Sequence, residues 1–186
     1  KHQKAFDQYG EKQISSEKDW CVYIDTDSLY FSSVPLKHKF KGDIQEDTIK
    51  LARSIEGRLN SYYDHMSLDY FNCKDHKLHI KGEVIASSGI WIAKKRYAML
   101  KTYDLEKNMA IEPKLGVKGL DIIRSTFPQY FKKYMRSFIV DVLKGLDKDQ
   151  IDEEFMNFYE RMKEAKPTEV ARNSAVKNIS KYSNSD

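Results

Sequence analysis

The chain has two cysteines, Cys21 and Cys73, among its 186 residues, and it has no long apolar run. Two thiols are too few for a framework of disulfides. A secretory signal and a membrane-spanning helix each need an uninterrupted apolar stretch, which this sequence lacks. We therefore expect a reduced, soluble, cytoplasmic protein with no membrane partner. The 40% of hydrophobic residues is enough to supply the core of an ordinary domain.

Positive charge is concentrated in one part of the chain. Residues 94–136 contain eleven Lys or Arg and four Asp or Glu, a local charge of +7, whereas the whole chain carries +4. This asymmetry favours a surface that faces a polyanion. The alternative is a lysine-rich face that contacts solvent and nothing else.

The first half of the sequence predicts an α+β arrangement. Residues 20–24 and 29–33 are β-prone and flank Asp-Thr-Asp-Ser, which is turn chemistry, so we predict a β-hairpin with carboxylates at its tip. Apolar residues at helical spacing predict one packed helix at 47–70. A second pair of strands is predicted at 77–87 and 89–103, joined by Ser88-Gly89.

The second half predicts helices and no strands. After about residue 125, helices are expected at 128–146, 149–165 and 168 to about 181, with breaks at Gly145 and Pro167. Residues 1–18 are polar and compatible with the end of a helix that starts earlier in the chain. The expected fold class is therefore α+β, with antiparallel hairpins and a packed helix followed by an all-α region.

Two carboxylates one residue apart, Asp25 and Asp27, lie between the strands of the first predicted hairpin. Like charges held this close repel unless water or a cation reaches both, and Mg²⁺ favours a few carboxylates together with phosphate oxygens. A calcium loop is disfavoured, because Leu29 and Phe31 occupy positions that need oxygen ligands. An exposed turn and an Asp-x-Asp nucleotide-sugar transferase remain open alternatives.

Two further segments have the residue types of a nucleic-acid surface. In 94-KKRYAML-100, strand alternation would place Lys95 and Tyr97 on one face and Lys94 and Arg96 on the other. The segment 116-GVKGLDIIRSTFP-128 brings cations, hydroxyls and a glycine together before a helix, which suits contacts with phosphates. The residues concerned are Lys118, Gly119, Arg124, Ser125 and Thr126. A charged edge strand that deters aggregation is the alternative for the first segment.

In this order, YIDTDSLYF, KKRYAML and KGLDIIRSTFP resemble the C-terminal part of family B DNA polymerases, of the replicative type found in tailed bacteriophages. DTDS is similar to that family's motif C and KKRY to its KKxY motif. The resemblance implies that residues 1–124 form the C-terminal portion of a palm and residues 125–186 a partial thumb. It also implies a location in the cytoplasm of an infected bacterial host.

The resemblance implies a role for each matching residue. Asp27 would be the main ligand of two Mg²⁺ or Mn²⁺ ions, and Asp25 a weaker ligand beside it. Glu83 matches an acid that can hold a further ion, although a plain surface glutamate is the alternative. The residues implied to contact primer-template DNA are Lys94, Lys95, Arg96, Tyr97, Lys118, Gly119, Arg124 and Ser125.

Several motifs of the family are absent from these 186 residues. There is no DxxSLYPS segment with the motif A aspartate, no KxxxNSxYG fingers helix that grips deoxynucleoside triphosphates, and no exonuclease segment. We therefore expect part of a polymerase that is inactive without the remaining polypeptide. A non-catalytic DNA-binding or processivity module derived from a palm is the second hypothesis.

Overall fold

The computed structural model describes residues 20–172 and residue 174. It divides into two compact units, the first within residues 1–48 and the second within residues 49–186. In the described ranges, no helix is both long enough and apolar enough to cross a lipid bilayer. The expectation for residues 1–18 lies outside the described residues.

The first unit contains a β-hairpin built from residues that favour an extended backbone. Strand β1 spans Cys21–Asp25 and pairs antiparallel with β2, which spans Ser28–Phe31. Aromatic and aliphatic side chains dominate both strands, and such side chains pack well on a pleated surface. Tyr23 lies opposite Tyr30, with ring centroids 6.1 Å apart. The predicted hairpin is confirmed, with strand ends shifted by a residue or two.

A long helix, α1, spans Ile44–Phe71, so it begins in the first unit and continues in the second. Asp43 precedes its first turn, and the Oδ1 atom accepts hydrogen bonds from the backbone N–H groups of Gln45 at 2.8 Å and Glu46 at 3.0 Å. This cap satisfies donors that have no partner inside the helix. The helix predicted at 47–70 is confirmed.

Polar side chains of α1 fix the segment that leads into the second sheet. Asn60 exchanges two hydrogen bonds with the backbone of Ile80, at 2.8 and 2.9 Å. Glu56 accepts a hydrogen bond from the Gly82 N–H at 3.0 Å and pairs with Arg53 at 3.1 Å. The Gly82 N–H, assisted by Arg53, holds the pKa of the Glu56 carboxyl below its usual value. The backbone before the sheet is thus tied to the helix.

The second sheet has three antiparallel strands in the order β3-β4-β5. Strand β3 spans Val84–Ala93, β4 spans Arg96–Asp104 and β5 spans Met109–Lys118. Two-stranded pairing was predicted here, and β5 was missed. The α+β class with antiparallel sheets is confirmed.

The strand break predicted at Ser88-Gly89 is wrong. Strand β3 runs through both residues, and residues 77–83 lie outside any strand. Gly89 has a packing role instead, because a Cβ atom there would lie 2.6 Å from the ring of Trp91. Glycine inside a strand often marks such a close approach.

One face of this sheet forms a hydrophobic core in the second unit, and Met99 on the other face is also buried. Ala98 and Leu100 of β4 pack with residues that follow β5 and with helix α2, which spans Gln129–Lys144. The Ser88 hydroxyl donates a hydrogen bond of 2.6 Å to the Leu143 carbonyl, which adds a polar tie between sheet and helix. The core and its partly buried neighbours are Ala98, Leu100, Leu120, Ile122, Leu143, Leu115, Val117, Phe127, Met135 and Ile139. The other face therefore points away from α2.

Helices occupy the described chain after residue 128. Helix α2 ends at Gly145, whose φ of 99° is the left-handed conformation that closes a helix. Helix α3 spans Lys148–Glu164 and starts with a capping box between Asp147 and Gln150. These two helices are confirmed. A short helix, α4, spans Pro167–Val170, so the third predicted helix stops early, and its expected continuation lies largely outside the described residues.

Aromatic rings join α2 to α3. Phe158 of α3 is buried, and its ring stacks on Tyr134 of α2 with centroids 3.6 Å apart. Tyr130 and Phe131 also contact Phe158, at 5.7 and 5.8 Å between centroids. Burial raises the pKa of the Tyr134 hydroxyl, and the nearby Glu154 raises it further. The helix pair is therefore held by one aromatic cluster.

Candidate functional site

The aspartate pair lies at the tip of the first hairpin. Asp25 ends β1 and pairs with Ser28 at the start of β2, so Thr26 and Asp27 form a two-residue loop. Asp27 is exposed and Asp25 is half-buried. A short loop between paired strands confines both carboxylates to a small region, as was predicted.

Thr26 stores backbone strain between the two aspartates. Its φ is 54°, a conformation that is costly for a β-branched residue. Local hydrogen bonds support the turn: the Thr26 hydroxyl donates to Asp25 Oδ1 at 3.4 Å, and the Ser28 hydroxyl donates to the Asp25 carbonyl at 3.2 Å. The turn is therefore held by the strands and these bonds in spite of the unfavourable residue at its first loop position.

The hairpin tip offers oxygen ligands of the kind that hard cations prefer. Asp25 and Asp27 supply carboxylates, and exposure of Asp27 leaves room for water or phosphate oxygens. Within residues 20–172 and 174, no group of three or more His, Cys, Asp or Glu side chains is placed to hold a metal ion. The two carboxylates are of the type that Mg²⁺ prefers, and by themselves they would supply only part of its coordination shell.

Glu83 belongs to the second unit, in the segment just before β3. Its side chain is exposed, and its carbonyl accepts a hydrogen bond of 3.0 Å from the Leu105 N–H. The backbone at this position is therefore fixed, while the carboxylate reaches solvent.

The first basic segment is a turn rather than a continuous strand. Lys94 and Lys95 connect β3 to β4, with Ala93 paired to Arg96 across the turn. Lys95 has a φ of 60°. The prediction that Lys94 and Lys95 lie within a strand and alternate between its faces is wrong, because the chain reverses at these residues. Both lysines are exposed at the end of the hairpin.

Pairing of β4 with β5 brings the two basic segments together. Tyr97 pairs with Lys118, so the Lys94-Lys95 turn lies beside the end of β5. Gly119 follows, with a φ of 69°, and a Cβ atom there would lie 1.9 Å from the Lys95 carbonyl oxygen. A side chain has no room between these backbones. The fold itself therefore requires glycine at this position, independently of any ligand.

Tyr97 is buried, with 7% of its surface exposed, and its ring lies 6.1 Å from the ring of Trp91. Its aromatic face is therefore largely covered in this structure. The side chain is placed to support the basic turn rather than to present a broad exposed surface.

An acid that sequence reasoning left without a role links two of the candidate residues. Asp121 lies 3.6 Å from Arg96 and 3.1 Å from Arg124, measured between carboxylate oxygen and guanidinium nitrogen. All three side chains are about half exposed or more, so each pair contributes no more than about 1 kcal/mol. In the sequence, the i,i+3 spacing of Asp121 and Arg124 was the feature that indicated this ion pair. Ser125 follows in an exposed turn.

Apart from Glu83, the candidate residues thus form two groups, each within its own unit. Asp25 and Asp27 meet at the tip of the first hairpin. The basic residues meet at one end of the three-stranded sheet, where strand pairing and the Asp121 ion pairs gather Lys94, Lys95, Arg96, Tyr97, Lys118, Gly119 and Arg124.

Two curated proteins that are similar to this chain are bacteriophage DNA polymerases. The chain is 26% identical over 184 residues to the DNA-directed DNA polymerase of Enterobacteria phage T4, covering 90% of this chain and 20% of that protein. It is 30% identical over 141 residues to the DNA-directed DNA polymerase of Escherichia phage RB69, covering 67% of this chain and 15% of that protein. The chain therefore spans a fifth or less of the length of these relatives.

A family model described as DNA polymerase family B matches residues 3–185, which is nearly the whole chain. The match includes the hairpin tip with its aspartates and the basic end of the second sheet. The chain belongs to DNA polymerase family B.

Proposed function

We propose that this chain is the part of a DNA-directed DNA polymerase that carries half of a two-metal nucleotidyl-transfer site and a surface for primer-template DNA. The observation that carries the proposal is the tight turn that fixes Asp25 and Asp27 at an exposed hairpin tip in a family B chain. Residues 1–124 would form the C-terminal portion of the palm, and residues 125–186 the start of the thumb.

Asp27 would be the principal ligand for Mg²⁺, for which Mn²⁺ can substitute, because its carboxylate is exposed at the tip. Asp25 would assist from a half-buried position, and Glu83 is a proposed ligand for a further ion. When bound, two such ions lower the pKa of the attacking hydroxyl and stabilise the charge that develops on the phosphate. The role of the hairpin is to hold its carboxylates in place, since phosphoryl transfer depends chiefly on positioning and electrostatics.

The basic end of the second sheet would bind the sugar–phosphate backbone of the primer-template duplex. Its cations lie on a turn, a strand end and a short loop rather than on a long helix that could enter a groove and distinguish bases. Contacts of this kind position DNA without selecting a sequence. The remaining polymerase polypeptide would supply motif A, the fingers that bind deoxynucleoside triphosphates, and the exonuclease. The setting would be the cytoplasm of an infected bacterium.

The purified chain is expected to bind duplex DNA without sequence preference and with strong dependence on salt. Each phosphate contact should contribute about 0.9 to the slope of log affinity against log salt. Fluorescence anisotropy with two primer-template duplexes of unrelated sequence, titrated with salt, measures both properties. A strong preference for one sequence, or an affinity that does not change with salt, would contradict the proposed surface.

Primer extension tests the proposed division of the active site. The chain by itself should add no nucleotides, and template-directed synthesis should appear when the polypeptide that carries motif A and the fingers from the same source is added. Extension by the chain alone, with contaminating polymerase excluded, would refute the half-site. DNA binding without extension in the complemented mixture would favour the non-catalytic processivity module.

A further inference from the structure

The face of the second sheet that points away from α2 carries a row of lysines. Strand pairing places Lys101 of β4 directly opposite Lys114 of β5, and Lys118 lies four residues further along β5 on the same face. Ala98 and Leu100 alternate with these positions and pack on the opposite, α2-covered face. The lysine row therefore lies on the face opposite α2, which it shares with the buried side chains of Tyr97 and Met99.

Lys101 is held in a defined orientation by packing. A Cβ atom on Gly116 would lie 2.7 Å from Lys101 Cε and 3.5 Å from Cδ, so the lysine stem lies across the glycine. Gly116 is midway between Lys114 and Lys118 on β5. The Lys101 stem thus extends over β5 between the positions of Lys114 and Lys118, and the residue is half-buried.

This arrangement has an electrostatic cost in the free protein. Like charges directly opposite each other across two strands are destabilising. Among the residues that the structure describes, neither Lys101 nor Lys114 has an acidic partner in an ion pair. A bound anion would relieve the repulsion between the two lysines. A ligand with several negative groups in a line would neutralise the whole row.

The spacing of the row suits a nucleic-acid backbone. Lys114 and Lys118 are four residues apart, which is about 13 Å along a strand and close to the axial rise of about four base pairs of DNA. The row ends beside the Lys94-Lys95 turn, because Lys118 pairs with Tyr97. One continuous face thus joins the row to the basic turn.

We propose that Lys101 and Lys114 are additional contacts for the phosphates of duplex DNA, extending the binding surface along β4 and β5 from the Lys94-Lys95 turn. The inference rests on the proposed function and names two residues that the motifs of the family did not single out. Lys101 is the better positioned of the two, because its stem packs over Gly116.

The test replaces both lysines by glutamine, which keeps much of each stem and removes the charge. Binding of a labelled primer-template duplex is measured by anisotropy across a salt titration. We expect Lys101→Gln with Lys114→Gln to reduce the slope of log affinity against log salt by about two and to weaken low-salt binding by about tenfold or more. The arginine pair, Lys101→Arg with Lys114→Arg, should retain the wild-type slope.

The matched control is Lys74→Gln with Lys77→Gln, an equal change in net charge at two exposed lysines outside residues 94–136. Its slope should stay within half a unit of wild type. If the Lys101 and Lys114 variant behaves like this control, the inference is overturned while the proposed function stands, an outcome expected if an acidic surface of another polypeptide covers the row. If the wild-type chain fails to bind the duplex, the proposed function and this inference both fall.

Discussion

Gly119→Ala is expected to destabilise the protein by about 3 kcal/mol or more. The added Cβ would lie 1.9 Å from the Lys95 carbonyl oxygen, and the φ of 69° is unfavourable for alanine. The obstacle is backbone rather than the flexible end of a side chain, so relief requires the Lys94-Lys95 turn and the end of β5 to separate. Urea unfolding followed by circular dichroism measures the change in the free energy of unfolding.

Gly57→Ala is the matched control, because it makes the same chemical change in a different setting. Gly57 lies inside α1, and no atom lies within 4 Å of the position its Cβ would occupy. Alanine favours a helix interior over glycine by up to about 1 kcal/mol, so this variant should be as stable as wild type or more stable. Equal stability of the Gly119 and Gly57 variants would show that the close approach to Lys95 is not a real constraint.

Local patterns were sufficient to predict the first hairpin and the helices. The Asp-Thr-Asp-Ser turn lies between two short β-prone runs, and Gly145 interrupts the helical pattern between α2 and α3. In each case the signal and the structure it specifies involve residues a few positions apart. The aspartate tip of the candidate site was accessible to sequence reasoning for the same reason.

Non-local pairing accounts for the parts that were predicted wrongly. Ser88-Gly89 has the composition of a turn, but Gly89 provides space for the Trp91 ring within β3. Strand β5 contains Pro113 and Gly116, which weaken a strand pattern, and its existence depends on pairing with β4. The preference of a short segment cannot reveal which distant strand will satisfy its backbone.

The basic surface shows both situations. Its residues were identified from composition and motif, but the contact between Gly119 and Lys95 follows from the register of β4 against β5. The opposition of Lys101 and Lys114 follows from the same register. A shift of one residue would send these lysines to the face that packs on α2. Register is set by the packing of the whole sheet, and no single segment specifies it.

Asp27→Ala is expected to lower primer extension by the complemented polymerase roughly a thousandfold or more, the scale expected when a central electrostatic group is removed from an active site. Asp27 is exposed at the tip of the hairpin, so its carboxylate is available to a metal ion and to the phosphates of a substrate. Asp25→Ala should cost less, because that residue is half-buried and is proposed to act as a weaker ligand. Single-turnover extension with saturating primer-template separates loss of chemistry from loss of DNA binding.

The control for this experiment is Asp69→Ala, which removes an exposed carboxylate near the end of α1. It changes net charge equally, so its extension rate should stay within about twofold of wild type, as expected for a surface substitution away from specific contacts. Duplex affinity of the Asp27 variant should equal or slightly exceed that of wild type, since a negative charge is lost while the basic sheet end is unchanged. If the Asp27 variant retains the wild-type rate while the complemented enzyme remains dependent on Mg²⁺, Asp27 does not hold the catalytic ion. In that case other carboxylates must hold that ion, either Asp25 or Glu83 of this chain or groups on the other polypeptide.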